Sequence, residues 1–348
     1  MSIDSTRRDF LRQIGAAAAG AVIAGAATPG CAADPPRTPA SQPATGPAGK
    51  PAGRAAPRVA IARDDALTRG PVAEHAVLLR KMLDAAVQKA TNHADAAAAW
   101  RSLFKPNDKV GIKVNALGLP TQPAVVDAVV AGLLSAGLPA ENVIIWDRFD
   151  TELAAAGYKL NQSARGVQCR GTDAERYGSG YQTAIESSGR IGSCFSRIVA
   201  EEVTALICVP VLKDHNLAGA SLGMKNFYGA IHNPNKYHAD NCDPFVADVV
   251  AHRFIGPKWR LTVVDATRGQ YHAGPARHPA YAWPFGGLIV GADFVAVDAV
   301  AADLLDAERQ TRGLKSLAED QRPPKHIATA AARGLGTAEL SRIERVEV

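Results

Sequence analysis

The sequence predicts an α/β fold, with a mostly parallel or mixed sheet covered by helices. Short apolar runs alternate along the chain with segments of helical periodicity, which is the order expected of β–α units. The runs are rich in β-branched residues and nearly free of polar interruptions, as strands covered on both faces are. We predict a single α/β domain over 58–348, after a signal peptide over 1–33 and a disordered linker over 34–57.

The elements follow from these patterns. The apolar runs predicted to be strands are Val59–Ala62, Val110–Val114, Val143–Trp146, Ala205–Leu212, Leu261–Val264 and Leu288–Val290. The segments predicted to be helices are Ala73–Thr91, Ala94–Leu103, Ala124–Ala136, Pro244–Phe254, Phe294–Leu305 and Lys325–Arg333. Pro123 and Gly137 bracket one of these helices, because proline favours a helix start and glycine a helix end. The stretch 148–200 is irregular, and no element is assigned to it.

The first residues have the pattern of a twin-arginine export signal. Arg7 and Arg8 precede Phe10 and Leu11, and an apolar run rich in alanine and glycine follows over Ile14–Ala27. This run is shorter than the about 20 apolar residues that a membrane-spanning helix needs. The order of charge, apolar run and small residues is that of a bacterial export signal. We therefore expect the protein in the periplasm or cell envelope, with the twin-arginine export machinery as a partner.

Two processing routes fit the end of the signal. Lipidation of Cys31 would tether the protein to the membrane, whereas cleavage after Ala33 would release it. The sequence leaves both routes open. Residues 34–57 are dominated by Pro, Ala, Gly, Ser and Thr and contain no large apolar side chain, so this segment is expected to be a disordered tether.

Charge and cysteine content exclude some classes of protein. The formal net charge is only +5 over 348 residues, and no lysine-rich patch with interleaved aromatic residues is present, so nucleic acid is not an expected partner. Cys208 lies in an apolar run and is expected to be a buried small hydrophobe. Cys169 and Cys194 could pair in an oxidising compartment, but the sequence does not establish a pairing.

Polar side chains stand where several predicted strands end. These residues are Lys113, Asn115, Asp147, Lys213, His215 and Asp265. Ligands of open parallel sheets bind beyond the carboxyl ends of the strands. Residues two apart on an extended chain project to the same side, which pairs Lys113 with Asn115 and Lys213 with His215. Strand ends are often polar only because loops are solvated, yet the repeated lysine favours a site for a carboxylate or phosphate.

A glycine-flanked segment, Gly219–Gly229, contributes Lys225 and Asn226. Its glycines are expected to let the backbone approach a ligand, and Lys225 adds a third positive charge. The segment contains G-x-S-x-G around Ser221, but the predicted strand ends at Leu212, so the strand that a hydrolase elbow requires is missing.

Two acidic residues begin the predicted apolar helix after the last strand. Asp293 is placed to cap that helix. Asp298 lies within it, four residues after Phe294, and a buried carboxylate there needs a partner. A lysine from the predicted strand-end site is the natural candidate.

These segments together resemble the bacterial and archaeal family known as domain of unknown function 362 (DUF362). The resembling motifs are GIKVN, VPVLKDH, SLGMKNFYG, VVDATRG and ADFVAVDAVAADLL, in an order that covers roughly Val59–Leu305. The resemblance implies the architecture and the location of a site, but no reaction. Members of the family often carry twin-arginine signals, and some are joined to ferredoxin-like iron–sulfur modules. This chain has no C-x-x-C motif, so no cluster is expected from the resemblance.

The sequence predicts an enzyme that acts on a small anionic molecule. Lys113, Lys213 and Lys225 would hold the anionic group, and Asn115 and Asn226 would orient it.

His215 is the expected general acid or base, because imidazole titrates near neutral pH. Asp265 or Asp298 would orient His215 or balance its charge. Two alternatives stay open. One is a non-catalytic periplasmic binding or accessory protein that uses the same cleft. The other is a metal or redox protein with ligands from His232, His238 and Cys242, although their spacing fits no standard zinc motif. No metal or other cofactor is assigned.

Overall fold

The computed structural model describes residues 55–174 and 180–348, so the predicted signal peptide and nearly all of the predicted linker lie outside the described residues. Within them, eleven strands form one mixed sheet and two form a small hairpin. The strands are β1 (Arg58–Arg63), β2 (Val110–Val114), β3 (Val143–Asp147), β4 (Gln168–Gly171), β5 (Glu186–Ser188), β6 (Ile191–Ser193), β7 (Ala205–Val209), β8 (Val211–His215), β9 (Gly219–Ala220), β10 (Trp259–Gln270), β11 (Ala282–Trp283), β12 (Gly287–Gly291) and β13 (Glu344–Glu347).

The helices cover this sheet. The α-helices of the described residues are α1 (Ala76–Thr91), α2 (Ala96–Leu103), α3 (Pro123–Ser135), α4 (Asp150–Ala155), α5 (Leu222–Asn226), α6 (Phe245–Ala251), α7 (Phe294–Thr311) and α8 (Lys325–Ala332). Among residues 55–174 and 180–348, none of the helices combines the length and the apolar character that a membrane span requires.

The sheet is mixed because β12 runs against both of its neighbours, and the short strands β9 and β11 also pair antiparallel. The strand order is β13-β1-β12-β10-β7-β2-β3-β4. From β10 to β4 each neighbouring pair is parallel, whereas β12 lies antiparallel between β1 and β10. The carboxyl ends of β2, β3 and β7 therefore meet at one edge of the sheet, which is where ligands of such sheets bind.

Apolar side chains fill both faces of the sheet, as the uninterrupted runs predict. Val143 and Ile145 of β3 pack into a cluster that includes the buried residues of α1, α2 and α3. Ile144 and Trp146, which project to the other face, pack into a second cluster with α5, α6, α7 and α8. This alternation follows from the two-residue period of a strand.

One predicted strand is divided in two. The apolar run Ala205–Leu212 breaks at Pro210, which has no N–H to donate to a neighbouring strand. Both halves still pair with β10, and the Pro210 carbonyl accepts a hydrogen bond from Asp265 N at 2.7 Å. The break makes β8 a separate strand that carries Lys213 and His215.

Other boundaries differ from the prediction for local reasons. The helix predicted from Ala94 begins at Ala96, because the Asp95 side chain caps it by accepting from Ala98 N. The helix predicted to end at Leu305 continues to Thr311 through a polar segment. In the described residues of the unassigned stretch 148–200, the structure has α4 and three short strands, and these elements are too short to produce a clear period.

The four cysteines in the described residues are free thiols. Cys169 and Cys194 are therefore not joined in this structure, although the sequence allows the pair. Cys208 is fully buried in β7, which confirms its predicted place in the core.

Candidate functional site

A cavity of about 210 Å³ lies at the carboxyl ends of β2 and β3, with β8 and α5 completing its wall. Six of the eight predicted site residues line it: Lys113, Asn115, Lys213, His215, Lys225 and Asn226. Asp265 and Asp298 are outside its lining. The chain thus brings lysine, amide and imidazole groups from three separate segments to one cavity.

Lys113 is held inside the wall of this cavity. It is fully buried, and its Nζ donates to Asp147 Oδ1 at 2.6 Å, to Val114 O at 2.6 Å and to Asn226 Oδ1 at 3.1 Å. An ammonium group has three N–H donors, so these contacts use all of them. The Lys113 ammonium therefore joins β2 to β3 and α5 in the cavity wall, and it has no N–H donor left for a ligand.

Asp147, which the sequence indicated only as a polar strand end, is the counter-charge of Lys113. Its Oδ1 also accepts from Arg148 N, and its Oδ2 accepts from Ala116 N at 2.7 Å. The parallel pairing of β2 with β3 brings the two residues together. A lysine and an aspartate at the ends of two strands indicate such an ion pair only when the two strands are known to be parallel neighbours. The sequence alone does not establish that β2 and β3 are neighbours.

Gly229 makes room for the same ion pair. A Cβ at this position would lie 2.8 Å from Asp147 Oδ1 and 2.9 Å from Lys113 Cε. The absence of a side chain therefore serves close packing against protein atoms, whereas the sequence predicted that glycines of this segment admit a ligand.

Lys213 is almost completely buried, at 2% exposure, and lines the cavity. Its Nζ donates to the carbonyl oxygens of Leu117 and Leu119 at 2.9 and 3.2 Å. The side chain of Asn115 donates to the same two carbonyls, so both residues hold this loop. Among residues 55–174 and 180–348, no carboxylate forms an ion pair with Lys213. Burial lowers the pKa of Lys213 to about 7, against a smaller opposing effect of Asp147.

Lys225 is the second buried lysine without an acidic partner in the described part of the chain. Its Nζ lies 3.1 Å from His238 Nε2 and 3.9 Å from the centre of the Tyr228 ring. Burial lowers the pKa of Lys225 to about 8. His238 Nδ1 lies 3.0 Å from the carbonyl oxygen of Pro234, which can only accept. Nδ1 of His238 therefore carries the proton, and Nε2 is the acceptor that faces Lys225.

His215 is neutral and has a defined tautomer. Its Nδ1 accepts from the backbone N–H groups of Leu217 and Ala218 at 3.1 and 3.2 Å, so the proton is on Nε2. Burial, followed by the nearby Lys225 charge, lowers the pKa of His215 to about 2. The near-neutral titration expected of a general acid or base thus does not occur here. The Nε2–H group is instead a fixed neutral donor.

Asp265 makes hydrogen bonds that join two elements of the fold beside the cavity. Its Oδ2 accepts from Gln122 N at 2.8 Å, and its Oδ1 accepts from the N–H and hydroxyl of Thr267 at 3.0 and 2.6 Å. These contacts attach β10 to the start of α3. The carboxylate faces backbone and hydroxyl donors, and it does not contact His215.

Asp298 has backbone partners instead of the predicted lysine. It is fully buried, and its two oxygens accept from Gly223 N and Met224 N, each at 2.8 Å. Burial raises the pKa of Asp298 to about 7, while these two N–H groups act in the opposite direction. The carboxylate therefore fixes the first turn of α5, the helix that presents Lys225. Asp293 caps α7 by accepting from Ala296 N, as predicted.

The predicted metal alternative finds no ligand group in the described ranges. His232 is exposed, and its ring meets the ring of Tyr181 edge to face. His238 is engaged by Lys225 and Pro234, and Cys242 is buried. Within the described ranges, no three His, Cys, Asp or Glu side chains are grouped so that they could hold a metal ion.

Ser221 does not have the surroundings of a hydrolase nucleophile. Its hydroxyl donates to the backbone oxygen of Asp214 at 3.5 Å. The left-handed residue of this turn is Leu222, with φ of 43°, whereas an elbow places the strain at the serine.

Fold and cavity define an α/β protein with a lysine-rich polar cavity at the carboxyl ends of its strands. A family model described as Domain of unknown function (DUF362) matches residues 103–303, which include all eight predicted site residues. The chain belongs to this family, as its motifs indicate. No match is found among curated proteins.

Proposed function

We propose that this protein is an enzyme that binds a small anionic molecule in the lysine-rich cavity. The observation that carries the proposal is the pair Lys213 and Lys225. Both are nearly buried and line one cavity, and neither is paired with a carboxylate of the described residues. A buried cation without a counter-charge is costly. A bound anion would supply the missing charge.

The contacts assign different roles to the predicted binding residues. Lys213, Lys225 and the Nε2–H of His215 are the groups available to a ligand. Lys113 has no free donor, and Asn115 is engaged with two loop carbonyls. In this proposal these two residues shape the cavity.

Asn226 is similarly engaged. Its side-chain oxygen accepts from Lys113, and its Nδ2 faces Cys208 Sγ at 3.3 Å and Lys113 O at 3.4 Å. It therefore joins α5 to β2 and β7. In this proposal Asn226 keeps Lys225, its neighbour on α5, in a fixed position relative to Lys113.

A purely binding role for the same cavity is the second candidate. It is favoured by the low pKa of His215, about 2, because an imidazole that stays neutral does not titrate near pH 7 as an efficient general acid or base does. Chemical conversion of a bound anion would support the enzyme hypothesis, and binding without conversion would support the binding-protein hypothesis.

Sulfate is a suitable probe of the proposed anion site, because its charge is constant across the relevant pH range. We expect sulfate to raise the melting temperature at pH 6.5 and to do so much less at pH 9. The pKa values of Lys213 and Lys225 are about 7 and about 8, so both ammonium charges are present below this window and are lost as the pH rises through it. Burial lowers the pKa of His215 to about 2, so His215 stays neutral throughout, and burial also lowers the pKa of His238, which moves its titration toward lower pH. Differential scanning fluorimetry over a sulfate series measures the effect.

Sulfate also stabilises proteins non-specifically, so the control is a variant. Lys213→Met should lose most of the sulfate-dependent increase at pH 6.5, whereas Lys81→Met, at an exposed position on α1, should keep it. Equal increases in the native protein and in Lys213→Met would contradict the proposal.

We also propose that the protein reaches the cell envelope by twin-arginine export. The support is the order of Arg7, Arg8 and the apolar run over Ile14–Ala27. A protein with both arginines replaced by lysine should accumulate as an unprocessed cytoplasmic precursor, measured by cell fractionation and intact mass. Normal processing of this variant would reject the export route. The mass of the mature native protein distinguishes lipid on Cys31 from cleavage after Ala33.

A further inference from the structure

Lys225, His238 and Pro234 form a chain of contacts beside the cavity. Lys225 Nζ faces the unprotonated Nε2 of His238 at 3.1 Å, and the Pro234 carbonyl holds the opposite ring nitrogen of His238 at 3.0 Å. An amine, a base within hydrogen-bond reach and a third group that orients the base make up the arrangement of an activated nucleophile. Lys225 and His238 both line the cavity.

The other two lysines of the cavity do not have this arrangement. All three N–H groups of Lys113 are donated, to Val114 O, Asp147 Oδ1 and Asn226 Oδ1. Lys213 donates to two backbone carbonyls, neither of which can receive a proton. Of the three lysines, Lys225 alone faces a neutral base, the Nε2 of His238.

The surroundings of Lys225 also favour a neutral amine. Its side chain is 8% exposed, and burial lowers its pKa to about 8, which leaves a usable fraction of free amine near neutral pH. A desolvated lysine, or one next to another cation, is the usual form of an amine nucleophile. The Cys242 thiol acts in the opposite direction on Lys225, but burial is the larger effect.

We propose that Lys225 forms a Schiff base with a small carbonyl compound that carries an anionic group, of which a 2-oxo carboxylate is the simplest class. This inference rests on the proposed anion site. The carboxylate would be held by Lys213, and the carbonyl oxygen would face the Nε2–H of His215. The rings of His215 and His238 lie 6.0 Å apart, centre to centre, and nearly parallel, so donor and base belong to the same part of the cavity.

The bonds and protons balance without a further reactant. Lys225 Nζ attacks the carbonyl carbon and forms the C–N bond, while the π electrons move to the carbonyl oxygen. His238 Nε2 takes one proton from the attacking nitrogen and passes it to the alkoxide, which gives the carbinolamine. It then takes the second N–H proton and passes it to the hydroxyl group, which leaves as water while the C=N bond forms. The carbonyl compound and the amine thus become an imine and one water molecule. His215, which stays neutral, donates a hydrogen bond to the oxygen as its charge develops.

Borohydride trapping tests this inference directly, because it converts an imine into a stable secondary amine. The native protein is incubated with pyruvate and sodium borohydride, and the site of labelling is mapped by peptide mass spectrometry. We expect about one label per chain, on Lys225. Acetone, which has the same carbonyl group without the carboxylate, should label this residue at least tenfold more slowly at equal concentration, because Lys213 no longer holds it.

Variants sharpen the result. Lys225→Arg should lose the label, and Lys81→Arg, at the exposed control position, should keep it. His238→Asn keeps a donor for the Pro234 carbonyl but loses the basic nitrogen, so labelling should slow by roughly 10²-fold or more. The melting temperature of each variant establishes that it is folded.

The outcomes separate this inference from the proposed function. A label on Lys213, or labels spread over exposed lysines, would overturn the assignment to Lys225. Sulfate stabilisation without any label would overturn the Schiff base and leave the anion site standing. The absence of both would overturn both.

Discussion

Asp147→Asn is expected to lower the free energy of unfolding by about 3–5 kcal/mol, the usual result of removing one partner of a buried ion pair. The Lys113 ammonium is fully buried and would lose its only acidic partner among the described residues. The amide that replaces the carboxylate can still accept a hydrogen bond, but it carries no compensating charge. Chemical denaturation followed by circular dichroism measures the difference.

A surface ion pair is the matched control for this variant. Arg58 and Glu344 form a pair of similar length, 2.8 Å, but the Glu344 side chain is 51% exposed. Glu344→Gln should therefore cost less than about 1 kcal/mol. Replacing both members of the buried pair, with Lys113→Met added to Asp147→Asn, should recover part of the loss, because no uncompensated charge is left. Equal costs for Asp147→Asn and Glu344→Gln would show that Lys113 is not held as a buried charge.

Asp298→Ala is expected to cost roughly 2–6 kcal/mol, since each of two buried N–H groups left without an acceptor costs about 1–3 kcal/mol. The two groups are Gly223 N and Met224 N, and they begin the helix that carries Lys225. Loss of the carboxylate should loosen this turn, so the sulfate-dependent stabilisation should fall together with the stability. Denaturant titration and scanning fluorimetry with sulfate measure the two effects.

Asp293→Ala is the matched control on the same helix. Asp293 also accepts from two backbone N–H groups, but it is partly exposed, and the two groups belong to Ala296 and Thr337, which are outside α5. Water can replace part of what is lost, so the cost should be about 1 kcal/mol, as for other helix caps. Sulfate stabilisation should be unchanged. If Asp293→Ala and Asp298→Ala reduced it equally, Asp298 would have no special part in positioning Lys225.

Local pattern was sufficient for much of the fold and part of the site. The strands β1, β2, β3 and β12 were predictable to within a residue at each end because each is a short run of buried apolar side chains. The rule that ligands bind at the carboxyl ends of parallel strands then indicated Lys113 and Lys213. The division of β7 from β8 depended on a single proline, and the pairing of both parts with β10 was not visible in the sequence.

The partners of the polar groups could not be predicted from local pattern. Lys113 and Asp147 are 34 residues apart, and Asp298 is 75 residues from Gly223. A lysine was the expected partner of Asp298 because opposite charges attract, yet backbone N–H groups at the start of α5 are the donors that the fold brings within reach. The partner of each polar group depends on which segments of the chain pack together. The periodicity of a single segment gives no information about that packing.

By itself, the sequence determined the α/β class, the apolar layers and which polar side chains stand at the strand ends, because these follow from the period and composition of neighbouring residues. Only the tertiary structure decided which of these side chains face the cavity and in what protonation state. His215 is neutral because segments distant in sequence bury it and two backbone N–H groups occupy its Nδ1. Desolvation and hydrogen-bond partners are properties of the packed chain. They distinguish Lys113, whose three N–H groups are all donated to the protein, from Lys225, which faces His238 Nε2.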